Sequence, residues 1–547
     1  MARTPLFAAF RRALRLADLA RRTGRDPAEL AAAVARRDGP SRRQVLGGAL
    51  GAAAVLPLWS ACGDNDGGGR RVAVVGGGAA GLHCARHLVE AGIDATVYEA
   101  SGRTGGRMFT RTGLFPDGKV VELGGELIDT DHAMMRGLAE SFELTLDDLV
   151  ADTAGLRADT YHFDGAAVAD ATIVAEFTPL AARMATAAAA GEADETMFAQ
   201  LDAMSISAWL GGPGMLAPTS LIRRILEMAY TGEYGLAPDQ QSVWNLLWLI
   251  DYDEPDPFRI YGDSDERFHL REGSQAIPDA LARGLTGRIE LEHQLVALAQ
   301  DGNGYRLTFD TAGGTVEVDA DRVVLALPFT TLREVDLAGA GLSADKQTMI
   351  DELGYGTNAK LMLGFTSRPW RSPGQASGSS VSDVGALQAT WDTSRGYPGT
   401  VGVLTNFVGG ARGLAIGDGT AEERAAEVLP WLDTVFPGSA AAYMADSAIR
   451  QHWPTAPFHK GSYACYRPGQ AAFAGAEGVA EGGVHFAGEH TSVDFQGYME
   501  GAIESGLRAA EEVLAAFGLP LPSMTRTLAA RRRSSSFGRG VRRRRRS

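Results

Sequence analysis

Residues 72–75, Val-Ala-Val-Val, form an apolar run with no polar interruption, as a strand covered on both faces requires. The run breaks into Gly76-Gly77-Gly78. A helical period then carries residues 79–91 until Gly92 stops it. A second short strand, 95–98, ends on Glu99. Residues 120–128 read as a strand interrupted by Gly124-Gly125, a sign of a bulge or of a ligand pressed on the backbone. From about 129 to 256 the period turns helical, with amphipathic runs at 178–190 and 221–230. The first of these predicts Thr178 as N-cap and Pro179 at the first helical position. The segment from Arg271 to Ile277 leads into a short helix. Strands are predicted at 289–299, 305–309, 322–328, 355–365, 390–393 and 403–409. Near the end, 484–492 gives a strand and turn, and 496–506 opens a helix.

The first strand-helix-strand unit carries chemistry. Gly76, Gly78 and Gly81 have the G-x-G-x-x-G spacing: a tight turn, close approach of a diphosphate, and close helix-to-strand packing. The following helix aims free N–H groups and a partial positive charge at that diphosphate. Glu99 lies 18 residues past Gly81, at the tip of the second strand, where a carboxylate can accept both hydroxyls of an adenosine ribose. The unit predicts dinucleotide binding and leaves NAD or FAD open.

Charge is unevenly spread along the 547 residues. The net charge is −15, yet residues 1–43 hold 11 Arg against 4 acids, and 526–547 hold 10 Arg and no acid. The body between them has 31 basic and 63 acidic residues, a balance that repels nucleic acid and attracts cations, amines among them. Solubility explains the same balance equally well. Ser41-Arg42-Arg43-Gln44-Val45-Leu46 before the apolar stretch 47–58 resembles a twin-arginine export signal, too short for a stable membrane span. The expected location is therefore periplasmic, extracellular or at the cell surface. Trp59-Ser60-Ala61-Cys62 resembles a lipoprotein cleavage box with Trp59 where a small aliphatic is usual, so cleavage near 61 is expected and a lipid anchor at Cys62 stays open. Cys62, Cys84 and Cys465 are too few for a disulfide framework, and no metal-ligand spacing is present. Residues 1–69 are read as basic leader, export signal and linker, and 521–547 as a basic disordered tail.

Directly after Glu99 comes Arg103-Thr-Gly-Gly-Arg107. Residues 99–107 resemble the E-x-x-x-R-x-G-G-R signature of the FAD-dependent amine oxidase family, monoamine and polyamine oxidases included. The segments Val484-His-Phe-Ala-Gly-Glu-His-Thr-Ser492 and Gln496-Gly-Tyr-Met-Glu-Gly-Ala-Ile-Glu-Ser-Gly506 are very similar to the closing motif of that family. The resemblance covers roughly 70–516. It implies an α/β fold: a Rossmann-like FAD-binding domain (70–128, 265–345, 478–516) and a mixed α+β substrate domain (129–264, 346–477), with the chain crossing between them several times. It also implies the cofactor residues. Gly76, Gly78, Ala80, Gly81, Glu99, Ala100, Arg103, Gly106 and Arg107 hold the dinucleotide. Gly124, Gly125 and Glu126 run beside the flavin ring, and backbone atoms of Val296 hold the adenine. Trp453, Gly488, Glu489, Tyr498 and Met499 complete the set.

For catalysis the resemblance implies Lys360, which holds a water at flavin N5, and Tyr463 and Tyr498, the two walls of an aromatic cage. An isolated buried lysine is costly unless paired or neutralised; an outward-facing lysine on an amphipathic strand is the plain alternative. Some relatives bond the flavin covalently through a cysteine just before the matching tyrosine. Here that position is Ser462, so FAD is expected to be non-covalent. The expected reaction oxidises a primary or secondary amine to an imine, with O2 or another acceptor taking the electrons and hydrogen peroxide formed from O2. Amino acid oxidases commonly place an arginine just after the Gly-Gly pair. Glu126 and Leu127 stand there instead, which favours an amine, unless an arginine such as Arg223 or Arg224 substitutes. An L-amino acid oxidase is the runner-up, and a non-catalytic flavin-binding envelope protein the competing class. The acids Asp251, Asp253, Glu254 and Asp256 are read mainly as a solvated loop. A homodimer stays open.

Overall fold

The structure, a computed structural model, describes residues 70–519. The basic leader, the export-signal stretch, Cys62 and the Arg-rich tail lie outside the described residues.

The fold is mixed α/β. A five-stranded parallel sheet has the order Val484–Phe486, Arg322–Leu325, Arg71–Val75, Asp94–Tyr98, Ile289–Glu290. The strand Arg71–Val75 sits in its centre and buries Val72 through Val75, which explains the unbroken apolar run. The helices Ala79–Glu90 and Met499–Ala516 cross on this sheet. Leu82, Leu88, Ile503 and Val513 share one apolar cluster with Val72, Val74 and Val97. Their axes come close because Gly506 has no side chain: a Cβ there would lie 2.3 Å from the Ala80 carbonyl oxygen. Four parallel strand pairs gather segments far apart in sequence at one sheet edge, and the strand ends place their loops together.

The second sheet has seven strands in the order Ile449–His452, Ala359–Phe365, Gly402–Val408, Ala389–Asp392, Ala376–Ser382, Arg157–Phe163, Ala166–Ala167. Along Ala359–Phe365 the period is two. Ala359, Leu361, Leu363 and Phe365 enter a core with Trp370, Leu404 and Leu432. Lys360 therefore faces the other side. The helix Ala421–Val435, opened by a capping box between Thr420 and Glu423, covers the apolar face.

Three expected elements differ. Thr178 is not an N-cap: the helix runs Asp170–Ala193 with Pro179 inside it, and Thr178 Oγ1 donates to the Val174 carbonyl at 2.7 Å. A proline in a helix interior costs about 3 kcal/mol. Here the apolar stripe Ile173, Phe177, Leu180, Met184, Ala188 is buried along both sides of the proline and outweighs that cost. The run 289–299 is two strands, Ile289–Glu290 in the parallel sheet and Gln294–Asp301 in a three-stranded antiparallel sheet, parted by a left-handed turn at Glu292 with φ 58°. Of 120–128 only Val121–Glu122 pairs as a strand, with Thr110–Arg111. The glycines beyond it run against the Arg107 segment, where the Gly125 N–H donates to the Arg107 carbonyl at 3.1 Å.

Candidate active site

One cavity of about 720 Å³ collects most of the residues singled out in the sequence. Its floor is the glycine turn. Gly76 has φ +110°, and a Cβ on it would lie 2.6 Å from the Ala326 carbonyl oxygen. At Gly81 a Cβ would lie 2.0 Å from the Gly76 carbonyl oxygen. Gly78 is different. Nothing lies within 4 Å of its Cβ position, and it lines the cavity at the start of the helix Ala79–Glu90. Two of the glycines thus serve packing, and the third leaves a cradle that a side chain would fill. A ligand's diphosphate fits there, against the helix N-terminus and its unpaired N–H groups. Ala80 and Ala100 line the same end.

Glu99 lines the cavity and is fixed by its own turn: Oε2 accepts from Gly77 N at 2.7 Å, and Oε1 accepts from Ser101 N at 2.9 Å and Ser101 Oγ at 2.7 Å. Gly106 and Arg107 also line it. Arg107 donates to Glu489 Oε1 at 2.9 Å and to the Ser462 carbonyl. The other oxygen of Glu489 accepts from Gly497 N at 2.8 Å. This pairing ties the Arg107 loop to the closing motif. Gly488 lines the wall with φ +122°, and Met499 and Ala502 bring in the first turn of the last helix, the second helix N-terminus to open on the cavity.

Gly124 and Gly125 are needed by close approach. A Cβ on Gly124 would lie 1.7 Å from the Arg107 carbonyl oxygen, and one on Gly125 2.7 Å from Met499 Sδ. Trp453 packs over Gly124 and donates from Nε1 to the Leu123 carbonyl at 3.1 Å.

Lys360 is 4% exposed and Glu126 7%. Lys360 Nζ donates to Glu126 Oε2 at 2.8 Å, to the Gly124 carbonyl at 2.8 Å and to the Glu122 carbonyl at 3.1 Å. All three donors of the ammonium are thus used on one segment. Burial alone would raise the Glu126 carboxyl; the Lys360 ammonium beside it reverses this and holds it below the usual carboxylate range. Glu122, one turn of chain earlier, is pushed up to about 7 by burial despite hydrogen bonds from Ser274 and Thr110.

Tyr463 and Tyr498 both line the cavity, and both reach one residue. The Tyr463 hydroxyl donates to the Glu233 carbonyl, and the Tyr498 hydroxyl to Glu233 Oε1 at 3.5 Å. His132 packs edge-on against Tyr498, ring centroids 5.2 Å apart. Nδ1 of His132 accepts the Asp129 amide at 3.0 Å, which puts the neutral ring's proton on Nε2, facing Asp129 Oδ2 at 3.4 Å. Asp129, Asp131 and His132 approach as closely as a metal site would require. A protonated Nε2 ligates nothing, and among the described residues His132 Nε2, Asp129 Oδ2 and Asp131 Oδ1 are buried without a hydrogen-bond partner.

Three expected residues stand elsewhere. Gly81 works through packing, as above. Arg103 does not line the cavity; its guanidinium donates to the carbonyls of Thr104 at 3.1 Å and Gly106 at 2.6 Å and lies 3.8 Å over the Phe109 ring, so it shapes the loop that carries Arg107. The Val296 carbonyl accepts the Asp336 amide at 2.9 Å, and the wall at that end is His293, Gln294 and Leu295. A bulge between Leu295 and Ala297 displaces Val296. Ser462 is buried and donates to Asn358 Oδ1 at 2.6 Å. Cys84 and Cys465 are buried, and neither lines the cavity.

The sequence reading missed Glu233, Glu266 and Arg395, which all line the cavity. It named Arg223 and Arg224 instead. Arg223 pairs with Glu227, and Arg224 with Asp164 and Asp383, away from the cavity. Arg395 donates from Nε to the Asp392 carbonyl at 3.0 Å, and among the described residues no carboxylate lies within ion-pair distance of it. The acids at 251–256 belong to their own loop: Asp251 accepts the amides of Asp253 and Glu254 and pairs with Arg259.

Comparison with known proteins agrees with this geometry. The model of the family described as flavin containing amine oxidoreductase matches residues 79–514. An L-amino-acid oxidase of Siganus canaliculatus is 24% identical over 460 residues, 81% of this chain and 85% of that protein. A pseudooxynicotine dehydrogenase of Pseudomonas sp is 26% identical over 528 residues, 87% of this chain and 96% of that one. The structure of cyclohexylamine oxidase from Brevibacterium oxydans IH-35A superposes with a TM-score of 0.70 at 22% identity, covering 82% of this chain and 100% of that one. With the Arg107–Glu489 pair and buried Lys360 inside the matched span and the glycine cradle directly before it, the chain belongs to the flavin-containing amine oxidoreductase family, an enzyme family whose cofactor is FAD.

Proposed function

We propose that this enzyme oxidises a primary or secondary amine, monoamine or polyamine, rather than an amino acid. The imine product then hydrolyses to an aldehyde or ketone plus ammonia or a smaller amine. The observation that carries the reading is the Lys360–Glu126 pair. The residue after Gly124-Gly125 presents a carboxylate, and the Lys360 ammonium beside it is already spent on that carboxylate. A substrate carboxylate gains nothing there, whereas Glu233, Glu266 and Asp159 on the same cavity wall favour a cationic or neutral amine.

FAD, when bound, supplies the two-electron oxidation and passes the electrons to O2, giving hydrogen peroxide. The chain's residues bind and orient. The cradle at Gly78, the Glu99 tip and the two helix N-termini would hold the dinucleotide, and the backbone at Gly124-Gly125 would lie along the ring. Tyr463 and Tyr498 would flank the substrate nitrogen, where aromatic faces suit partial positive charge. Lys360, whose three donors are held by Glu126 and two carbonyls, would hold a water at the ring edge by turning one N–H from a carbonyl to that water. With Ser462 at the position of covalent attachment and no cysteine of the described residues lining the cavity, FAD would bind non-covalently.

One observation favours the second reading, an L-amino acid substrate: Arg395 faces the cavity with its terminal amino groups free of carboxylates among the described residues. Anaerobic mixing separates the two. Benzylamine, cyclohexylamine, putrescine, L-leucine and L-phenylalanine are each added to the yellow protein and the flavin absorbance is followed. Bleaching by amines alone supports the proposal; bleaching by amino acids alone overturns it. Bleaching by none would favour a flavin-binding protein without turnover.

The twin-arginine-like stretch at residues 41–58 extends the proposal to location, namely export of the folded, FAD-loaded protein. Replacing Arg42 and Arg43 by lysine should retain it in the cytoplasm; unchanged export would reject that route.

A further inference from the structure

A substrate amine is an ammonium ion near neutral pH, with an ordinary pKa near about 10.4. It has no lone pair to give until a proton leaves. Among the described residues the cavity holds few groups able to take one. Lys360 already gives its donors to Glu126 and two carbonyls, and that carboxylate is held by Lys360. Tyr463 and Tyr498 are pushed well above the ordinary phenol value by burial, with nearby Glu233 adding to it, so both stay protonated. Glu233 remains.

Its position is unusual. Glu233 sits in the last turn of the helix Leu221–Tyr234, which stops at Gly235 in the left-handed conformation, φ 75°. The carbonyl end of a helix carries partial negative charge, so a carboxylate there is disfavoured and a proton or cation is favoured. No Lys, Arg or His of the described residues forms an ion pair with it. Its one side-chain hydrogen bond comes from Tyr498 at 3.5 Å, and its own carbonyl accepts from Tyr463. The residue therefore stands between the two cage tyrosines. Of the charged and titratable groups around it among the described residues, the Tyr498 hydroxyl favours the carboxylate through its hydrogen bond and the acids oppose ionisation. These groups are Asp129 from the loop after the Gly-Gly segment, Glu266 from the turn before the strand Phe268–Leu270, Tyr261, the two cage tyrosines, and Tyr234 on its own helix. Burial first, then Asp129, pushes the Glu233 carboxyl up to about 7. Glu266, whose accessible surface opens into the cavity, is pushed up to about 8 by burial, then Asp129 and Glu233, with Arg395 pulling the other way.

We propose that Glu233 is a catalytic residue that deprotonates the substrate ammonium between Tyr463 and Tyr498 before oxidation. One N–H bond of R–NH3+ breaks, the nitrogen keeps the electron pair, and an O–H bond forms on the Glu233 carboxylate. The products are a neutral amine and a neutral carboxylic acid. No electrons change oxidation state in this step, and the acid returns its proton to water after product leaves. The inference rests on the family's amine chemistry and not on the choice of amine over amino acid, because both substrates arrive as ammonium.

The test has two arms on the FAD-loaded protein. In the first, the fastest-reducing compound of the panel above is mixed anaerobically with wild type and Glu233→Gln across pH. The glutamine keeps the Tyr498 contact but cannot accept the proton. Flavin reduction in the variant should fall about 10²-fold near pH 7 and recover toward wild type near pH 10, where the amine is neutral in solution. An equal loss at every pH means a structural role and overturns the proposal, as does no loss. In the second arm, tert-butylamine, which has no α-hydrogen and is not oxidised, is titrated calorimetrically near pH 8 in buffers of different ionisation enthalpy. Wild type should exchange almost no protons with buffer, because the proton passes to Glu233. Glu233→Gln should release about one proton per amine bound, since only the neutral form then enters. Equal proton counts, or failure of wild type to bind tert-butylamine, overturns the inference. Amino acids alone bleaching the flavin would reject the substrate proposal and leave this one standing.

Discussion

Lys360 Nζ and Glu126 Oε2 lie 2.8 Å apart, the first on a strand of the seven-stranded sheet and the second on the segment after Gly124-Gly125, and both side chains are almost wholly buried. The pair joins the two halves of the cavity. Breaking a buried pair by removing one partner typically costs about 3–5 kcal/mol, because a charge is left without compensation.

Lys360→Met should therefore act on stability and on turnover by separate routes. We expect it to lower the unfolding free energy by about 3 kcal/mol and to slow turnover, while the protein stays yellow. Adding Glu126→Gln should restore much of the stability and none of the turnover. Thermal melts and stopped-flow reoxidation of the single and double variants check this. Loss of FAD from Lys360→Met would mean the lysine holds the cofactor site itself rather than a water beside it.

The three glycines of the first turn should separate under substitution. Gly81→Ala puts a methyl 2.0 Å from the Gly76 carbonyl oxygen and should destabilise the fold by about 1–3 kcal/mol. Gly78→Ala meets no protein atom within 4 Å, and its φ of −75° suits any residue. Its melting temperature without FAD should match wild type, while FAD affinity falls at least about 10-fold, which is about 1.4 kcal/mol. Equal FAD binding in Gly78→Ala, measured by fluorescence titration of the apoprotein, would place the diphosphate elsewhere.

This contrast shows what the sequence makes legible. Roles set by local spacing, such as the turn at Gly76 and the close packing at Gly81, are visible because a few neighbouring residues dictate them. Lys360 is also visible, since a lysine on an apolar strand demands a partner, although Glu126 could not be named as that partner from the chain alone. Arg103 and Val296 do not line the cavity: Arg103 turns to loop carbonyls, and Val296 stands at a bulge. Thr178 and Pro179 carried a helix-start signal that a buried stripe on both sides overrode. Glu233 and Arg395 sit on elements whose pairing spans long stretches of sequence, so nothing near them announced the cavity. The one available cue was an acid in the last turn of the helix ending at Tyr234, against the helix dipole.

Non-covalent FAD should be released by unfolding. Acid precipitation should leave a yellow supernatant and a colourless pellet, and a denaturing gel should show no flavin fluorescence in the protein band. A fluorescent band would require another attachment residue; His459, which lines the cavity beside Trp453, is the first to replace.

Arg395 decides the remaining question of substrate charge. If the substrate is an amine, the guanidinium has no anion to bind, and it serves to offset Glu266 across the cavity. Arg395→Met should then leave KM for the best amine within about 3-fold, a change below about 0.7 kcal/mol. An amino acid substrate would lose a charge-assisted, bidentate contact worth about 1.5–3 kcal/mol, and its KM would rise about 10- to 100-fold. Steady-state kinetics of this one variant on benzylamine and L-phenylalanine therefore reads the substrate class directly from which KM moves.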